Sequence, residues 1–224
     1  PVQIVEITSE NQDTPEERAA FDFLYASTKA TKAEPNVHLN FNHAMSRVNL
    51  KFVPGTDPEG NPVTLTDIEC YLVGIKRNGT FDTETGVAAV AEDAAVSDLR
   101  QMLNADNDYT FTAYLLPQTI GAEGLLIEAT MRSTDGRRIY YSLEIPVSDW
   151  PEMKAGYSYN YTLTANDYMT ASPTVLEISG TDINPWTEVN KEETPDAKAL
   201  GTEAYVNGAE WGEMENEEIV PEVK

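Results

Sequence analysis

Residues 37–53, VHLNFNHAMSRVNLKFV, decide how the rest of the chain is read. Val37, Leu39 and Phe41 alternate with His38, Asn40 and Asn42, the period of two expected of a strand with one buried face. The parity then changes, because Val48, Leu50 and Phe52 are the next apolar positions and Ser46, Arg47, Asn49 and Lys51 supply the polar ones. One continuous strand cannot keep the same face buried through that switch, so a bulge or tight kink is predicted between Met45 and Arg47. The stretch is predicted to be a core strand of an antiparallel sheet.

Outward from this stretch the chain repeats the pattern. VQIVEI near the start is a short strand candidate, and Val63, Leu65, Ile68, Cys70 and Leu72 follow the turn-rich PGTDPEGNP at 54–62. The Asn78-Gly79 pair is a hairpin signal. Residues 93–104, DAAVSDLRQMLN, carry Ala94 or Ala95, Leu99, Met102 and Leu103 near helical spacing, which predicts a short helix or an ordered crossover. Strands resume with YTFTAYLLP at 109–117 and LLIEATMRS at 125–133, and the turn TDGRR makes a hairpin with IYYSLEIPV at 139–147. YSYNYTLT at 157–164 aligns Tyr157, Tyr159 and Tyr161 on one face, either as core packing or as a sugar-stacking platform. VLEISG at 175–180 is the last predicted strand, with Trp150 covering one end of the core and Trp186 marking the end of the domain. Short strands about ten residues apart, with turn chemistry between them, predict an all-β fold, a Greek-key β-sandwich.

The chain has 224 residues, 41 % of them hydrophobic, enough to bury a substantial core. Lys plus Arg is 15 against 38 for Asp plus Glu, a net charge of −23, which argues against nucleic acid or an anionic membrane surface as partner. Cys70, the only cysteine, allows no intrachain disulfide and no cysteine-based zinc site, and with Ile68 and Leu72 it reads as a small buried hydrophobe. No apolar run is long enough for a membrane helix, and no signal peptide opens the chain.

No catalytic arrangement stands out: there is no G-x-S-x-G elbow, P-loop or H-E-x-x-H motif. NADND at 104–108 begins like a calcium loop, but Tyr109 stands where Gly is required and Leu115 where Glu is required. His38 and His43, five apart on a strand, fall nominally on opposite faces and cannot share a metal unless the bulge intervenes; His43 reads as a structural partner for backbone groups. No enzyme activity, cofactor or metal is predicted.

Several motifs fall in a familiar order. FDFLYA at 21–26, FNHAMSRVNLKF at 41–52, YLLPQ at 114–118, WPEMKAGYSYNYTLT at 150–164 and INPWTE at 183–188 resemble the fimbrillin-like family, the type V pilins and related surface proteins of Bacteroidales. The resemblance implies a transthyretin-like sandwich with Phe41, His43, Val48, Leu50, Phe52, Trp150 and Trp186 as its structural signature. It also implies other fimbrial subunits as partners, with host proteins or glycans as further candidates, and a mature form tethered to or projecting from the outer membrane. Members are made as lipoproteins with a signal and a lipidated cysteine upstream of a first domain, so this chain reads as a processed product or a piece of a longer protein. Three parts follow: residues 1–35 as the remnant of an upstream domain and a linker, 36–187 as the sandwich, and 188–224 as an acidic C-terminal tail. Lys29 and Lys32 lie in the linker, either as a processing site or as ordinary exposed residues.

The tail is rich in Glu and interrupted by Pro195 and Pro221, a disordered composition, yet ALGTEAYV at 199–206 and EIVPEV at 218–223 keep apolar alternation with Trp211 between them. Type V pilins are thought to polymerise by strand exchange, in which a protease removes the first strand and the next subunit's C-terminal segment fills the groove. On that analogy the candidate donor residues are Ala199, Leu200, Ala204, Val206, Trp211, Ile219, Val220 and Val223. Side-chain burial and the entropy of ordering the segment are of similar size, so a backbone ladder has to supply the difference. Self-docking on the same domain and disorder are the other readings of the tail. The function expected is that of a structural subunit or adhesin of a fimbria. The alternative is a monomeric surface module that binds glycans or proteins through Tyr157, Tyr159 and the loops at 54–62 and 82–86.

Overall fold

A computed structural model of the chain describes residues 4–8, 12–29, 36–122, 124–150, 152–167, 174–186 and 203–207. In chain order its strands are β1 (Ile4–Thr8), β2 (Leu24–Tyr25), β3 (Asn36–Asn40), β4 (Asn42–His43), β5 (Ser46–Pro54) and β6 (Ile68–Lys76). There follow β7 (Asn78–Asp82), β8 (Val87–Val90), β9 (Val96–Leu103), β10 (Thr110–Leu115), β11 (Gln118–Thr119) and β12 (Leu125–Arg132). The last are β13 (Arg138–Ile145), β14 (Glu152–Met153), β15 (Tyr157–Ala165), β16 (Thr174–Val175), β17 (Glu177–Pro185) and β18 (Glu203–Asn207). A one-turn helix, α1 (Pro15–Ala19), starts at Thr14, whose hydroxyl accepts from the Glu17 amide while Glu17 reaches back to the Thr14 amide.

Two sheets carry the molecule. One runs β10-β5-β15-β17 and the other β16-β13-β12-β6-β9. Taking the eight long strands of these sheets in chain order, the first sheet reads fourth-first-seventh-eighth and the second third-second-fifth-sixth, the transthyretin-like arrangement of an all-β sandwich. Each inner face is built by alternation. Val48, Leu50 and Phe52 of β5 and Phe111, Ala113 and Leu115 of β10 meet Ile68, Cys70 and Leu72 of β6 and Ile127, Ala129 and Met131 of β12 in one buried cluster. β5 pairs antiparallel with β10 but parallel with β15, so the sheet is mixed rather than antiparallel throughout.

A second, smaller core lies beside the first. Ile7, Ala44, Met45, Phe81, Ala88, Tyr114, Leu116 and Trp186 are buried together, with Phe21, Phe23 and Tyr25 packed against them. β1 lies on β7 in a three-stranded sheet with β8, and β2 pairs with β4. The segment before residue 36 therefore packs on elements that follow it.

Several local expectations change. The stretch 37–53 is three strands, not one: the chain breaks at Phe41 and bends at Ala44–Met45, and only β5 enters the sandwich. The parity switch has this cause, because His43, Ala44 and Met45 turn into the second core before β5 faces the first. Residues 96–103 form a strand, not a helix. Leu99, Gln101 and Leu103 point inward, and a buried glutamine between two leucines, with Met102 exposed, imitates helical spacing. Asn78-Gly79 is not a turn either. Gly79 lies within β7, where an added Cβ would stand 2.1 Å from the Ala89 carbonyl oxygen. The turn comes at 83–86, where the Asp82 carboxylate accepts from the Glu84 and Thr85 amides and Gly86 takes φ of 74°. The strand expected at 175–180 is divided: Val175 ends β16 beside β13 in one sheet, and β17 runs from Glu177 to Pro185 in the other.

Candidate functional site

Trp186 closes β17 and is held on several sides. Its amide donates to the Gly156 carbonyl at 2.6 Å. The His43 ring stacks on its indole with centroids 3.5 Å apart and planes 7° apart, and the Arg47 guanidinium lies 5.0 Å from the indole centroid. Tyr114 leans on it at 4.8 Å. His43 is fixed in turn by Asp22, Nδ1 to Oδ1 at 2.5 Å, with both side chains largely buried. A carboxylate and an indole are thus among the partners of this histidine. Together these contacts tie the segment before residue 36, the bend at 44–45 and the end of the sandwich to one point, where the chain leaves for its tail.

Within the tail, Glu203–Asn207 runs antiparallel to β3, with Ala204 opposite Leu39 and Val206 opposite Val37. Among the described residues β3 and β18 share a ladder with each other and with no strand of the sandwich. Ala204 and Val206 of the expected donor set lie in this strand; Ala199, Leu200, Trp211, Ile219, Val220 and Val223 lie outside the described residues.

Of the signature residues, Val48, Leu50, Phe52 and Trp150 are in the main core, and His43 and Trp186 are buried at the second. Phe41 is half-buried in the break between β3 and β4. Trp150 stacks on Tyr159 and Tyr161 at 4.8 and 5.0 Å, so those two rings are packing elements and not a surface platform. Burial pushes the Tyr161 hydroxyl up to about 12 and the Cys70 thiol well above its ordinary range, which leaves the thiol protonated and inert.

The sequence reading missed a set of glutamines. Gln12, fully buried, donates through Nε2 to the Tyr114 carbonyl at 2.8 Å and accepts from the Tyr114 amide at 2.7 Å. Gln101 does the same for Thr112, donating at 2.6 Å and accepting at 3.0 Å, and also donates to the Gln12 carbonyl at 2.8 Å. Thr112 and Tyr114 are alternate residues on the edge of β10 away from β5, so two side-chain amides stand in for a neighbouring strand. Gln118 satisfies both peptide groups of Lys76 in the same way, at 2.9 and 3.0 Å. Nothing in a run such as SENQDTPEER singles out Gln12, because the partner is a backbone peptide 102 residues away.

The sequence profile of the fimbrillin-like family matches residues 2–186. The chain belongs to that family. Among curated proteins none matches it. Among solved structures, this fimbrillin-like chain is similar to a candidate cell adhesion protein from Bacteroides ovatus, with 24 % identity and a TM-score of 0.61 over 82 % of this chain and 60 % of that one. It is also similar to a candidate cell adhesion protein from Bacteroides uniformis, with 18 % identity and a TM-score of 0.56 over 83 % of this chain and 66 % of that one. At these identities the likeness is one of fold, and the chain spans 60 % and 66 % of their lengths.

Proposed function

We propose that this fimbrillin-like chain is a structural subunit or adhesin of a cell-surface fimbria, and that it joins a neighbouring subunit by strand exchange through its C-terminal segment, residues 199–223. The observation that carries the reading is the β3–β18 ladder. A two-stranded ribbon outside the sandwich is marginal in water, and the backbone bonds that Glu203–Asn207 makes with β3 in its own chain are equally available to β3 of another copy. A second edge fits the protease-triggered part of the scheme. β1 covers β7 and buries Ile7, so release of the segment up to the exposed Lys29 would uncover the Asn78–Asp82 edge and the second core.

The test is to mix the full-length chain, and a chain ending at Glu188, each with a copy cut by a trypsin-like protease. Size-exclusion chromatography with light scattering reads the result. The reading expects a stable complex from the full-length chain alone. Identical monomers from both chains, with the cut confirmed by mass, would refute it.

A further inference from the structure

The outward face of the β13-β12-β6-β9 sheet carries a feature that fimbrial assembly does not use. Its strands place Arg138 directly opposite Arg132, Tyr140 opposite Thr130 and Ser142 opposite Glu128; Glu128 in turn lies opposite Tyr71, and Tyr71 opposite Arg100. Like charges directly opposite each other on one face of an antiparallel pair are destabilising. In a chain with 15 cationic and 38 acidic residues, two arginines set side by side are conspicuous. Among the described residues neither guanidinium has a carboxylate within ion-pair distance. The nearby Glu69 carboxylate is already engaged, by Arg100 Nε at 2.6 Å and the Tyr71 hydroxyl at 2.8 Å.

Two shallow depressions adjoin on this face and share Thr130. One, of about 250 Å³, is lined by Arg132, Arg138, Asp67, Glu69 and Met102. The other, of about 470 Å³, is lined by Tyr140, Tyr71, Glu128 and Ser142. The charged residues that line the first, Arg132 and Arg138 against Asp67 and Glu69, sum to zero on a molecule of net charge −23, and Glu69 is already paired with Arg100, which leaves the two guanidinium groups opposed by Asp67 alone. The Debye length at physiological salt is about 8 Å, so the distant acidic surface is screened at this spot. Tyr140 is 46 % exposed, with its ring available beside the second depression.

The geometry points to a binding site for an acidic oligosaccharide, with a sugar carboxylate on Arg132 and Arg138 and the adjoining neutral ring on Tyr140, its hydroxyls bonded by Glu128 and Ser142. A carboxylate suits the first depression because guanidinium groups bind its planar oxygens in pairs. A hydroxyl-rich ring suits the second because its lining combines the aromatic rings of Tyr140 and Tyr71 with the Glu128 carboxylate and the Ser142 hydroxyl. The site is independent of strand exchange, since it uses no residue of β3, β7 or the tail.

Titration calorimetry on the full chain, with a panel of uronic-acid tetrasaccharides including oligogalacturonate, tests it. At least one member should bind, and its methyl ester, uncharged but of the same shape, should bind about tenfold or more weakly. The exposed double variant Arg132→Gln with Arg138→Gln, checked for unchanged circular dichroism, should show a loss of similar size. Tyr140→Ala should weaken the tetrasaccharide while leaving the response to monomeric galacturonate unchanged. Failure of every panel member to bind, equal affinity for acid and ester, or full binding by the double variant would each overturn the proposal. Arginine-dependent binding of a synthetic peptide of residues 209–224, with no saccharide response, would overturn it too and make the face a dock for acidic protein segments.

Discussion

If Trp186 closes the second core, replacing it with alanine has a calculable cost. The side chain is 4 % exposed and packed between His43 and Arg47. Truncating a buried tryptophan costs about 3 to 5 kcal/mol. Its Nε1 has no hydrogen-bond acceptor among the described residues, so no bond is lost with the ring and the lower end, about 3 kcal/mol, applies. For a domain of this size about 1 kcal/mol shifts Tm by about 2 to 4 °C, so Trp186→Ala should melt roughly 6 to 12 °C below the parent. Urea unfolding followed by circular dichroism should give a lower midpoint at unchanged slope, and Trp186→Phe, which keeps a ring against His43, should recover much of the loss. Ile183, three residues earlier and 40 % exposed, is the control, and Ile183→Ala should stay within about 0.5 kcal/mol. If Trp186→Ala cost less than about 1 kcal/mol, or no more than Ile183→Ala, the clamp would not be what holds the end of β17.

Gln12→Ala leaves the Tyr114 amide and carbonyl without their side-chain partner and should cost about 2 to 4 kcal/mol in chemical denaturation, with increased light scattering from the opened β10 edge; wild-type stability would refute the capping role. Gly79→Ala drives a methyl group into the Ala89 carbonyl and should separate β7 from β8, seen as faster amide exchange across Val87–Val90; unchanged exchange would show that the close approach is dispensable. Cys70 should be unreactive to a thiol reagent in the native protein and fully reactive in denaturant, and native labelling at a rate near that of free cysteine would contradict its burial. Tyr161, with its hydroxyl held near 12 in the fold against 10.0 ordinarily, binds its proton more tightly folded than unfolded. Stability should therefore be level below pH 10 and fall as pH rises from 10 towards 12, and an unchanged urea midpoint between pH 9 and 11 would refute this.

Much of the sandwich was legible in the sequence, because period-two alternation is a local signal. β5, β10, β12, β13 and β15 are each announced by their own residues, and the TDGRR turn fixes the β12–β13 hairpin register. β9 was misread where a polar inward residue, Gln101, replaced the hydrophobe the pattern expects. The break at residues 41–45 was visible as a parity change, but its destination was not. A second core assembled from residues 7, 44, 45, 81, 88, 114, 116 and 186 leaves no periodic trace in any single segment. The stacking of His43 on Trp186 and the Gln12–Tyr114 pair join positions more than a hundred residues apart, and only the fold reveals them. The Arg132–Arg138 pair was within reach, since the hairpin register places the two face to face.

The amides of Gln12 and Gln101 carry one consequence further. A sheet edge is a template, and an open one can be copied at random by any matching strand. On β10 the alternate peptides of Thr112 and Tyr114 are occupied by side chains of the same molecule, which no stray strand can displace without unmaking a buried contact. β17, at the opposite end of the same sheet, carries no comparable cap among the described residues. The two rims of this sheet are unequal: with both amides in place an incoming strand finds the β10 rim occupied, so edge pairing on this sheet is directed to β17.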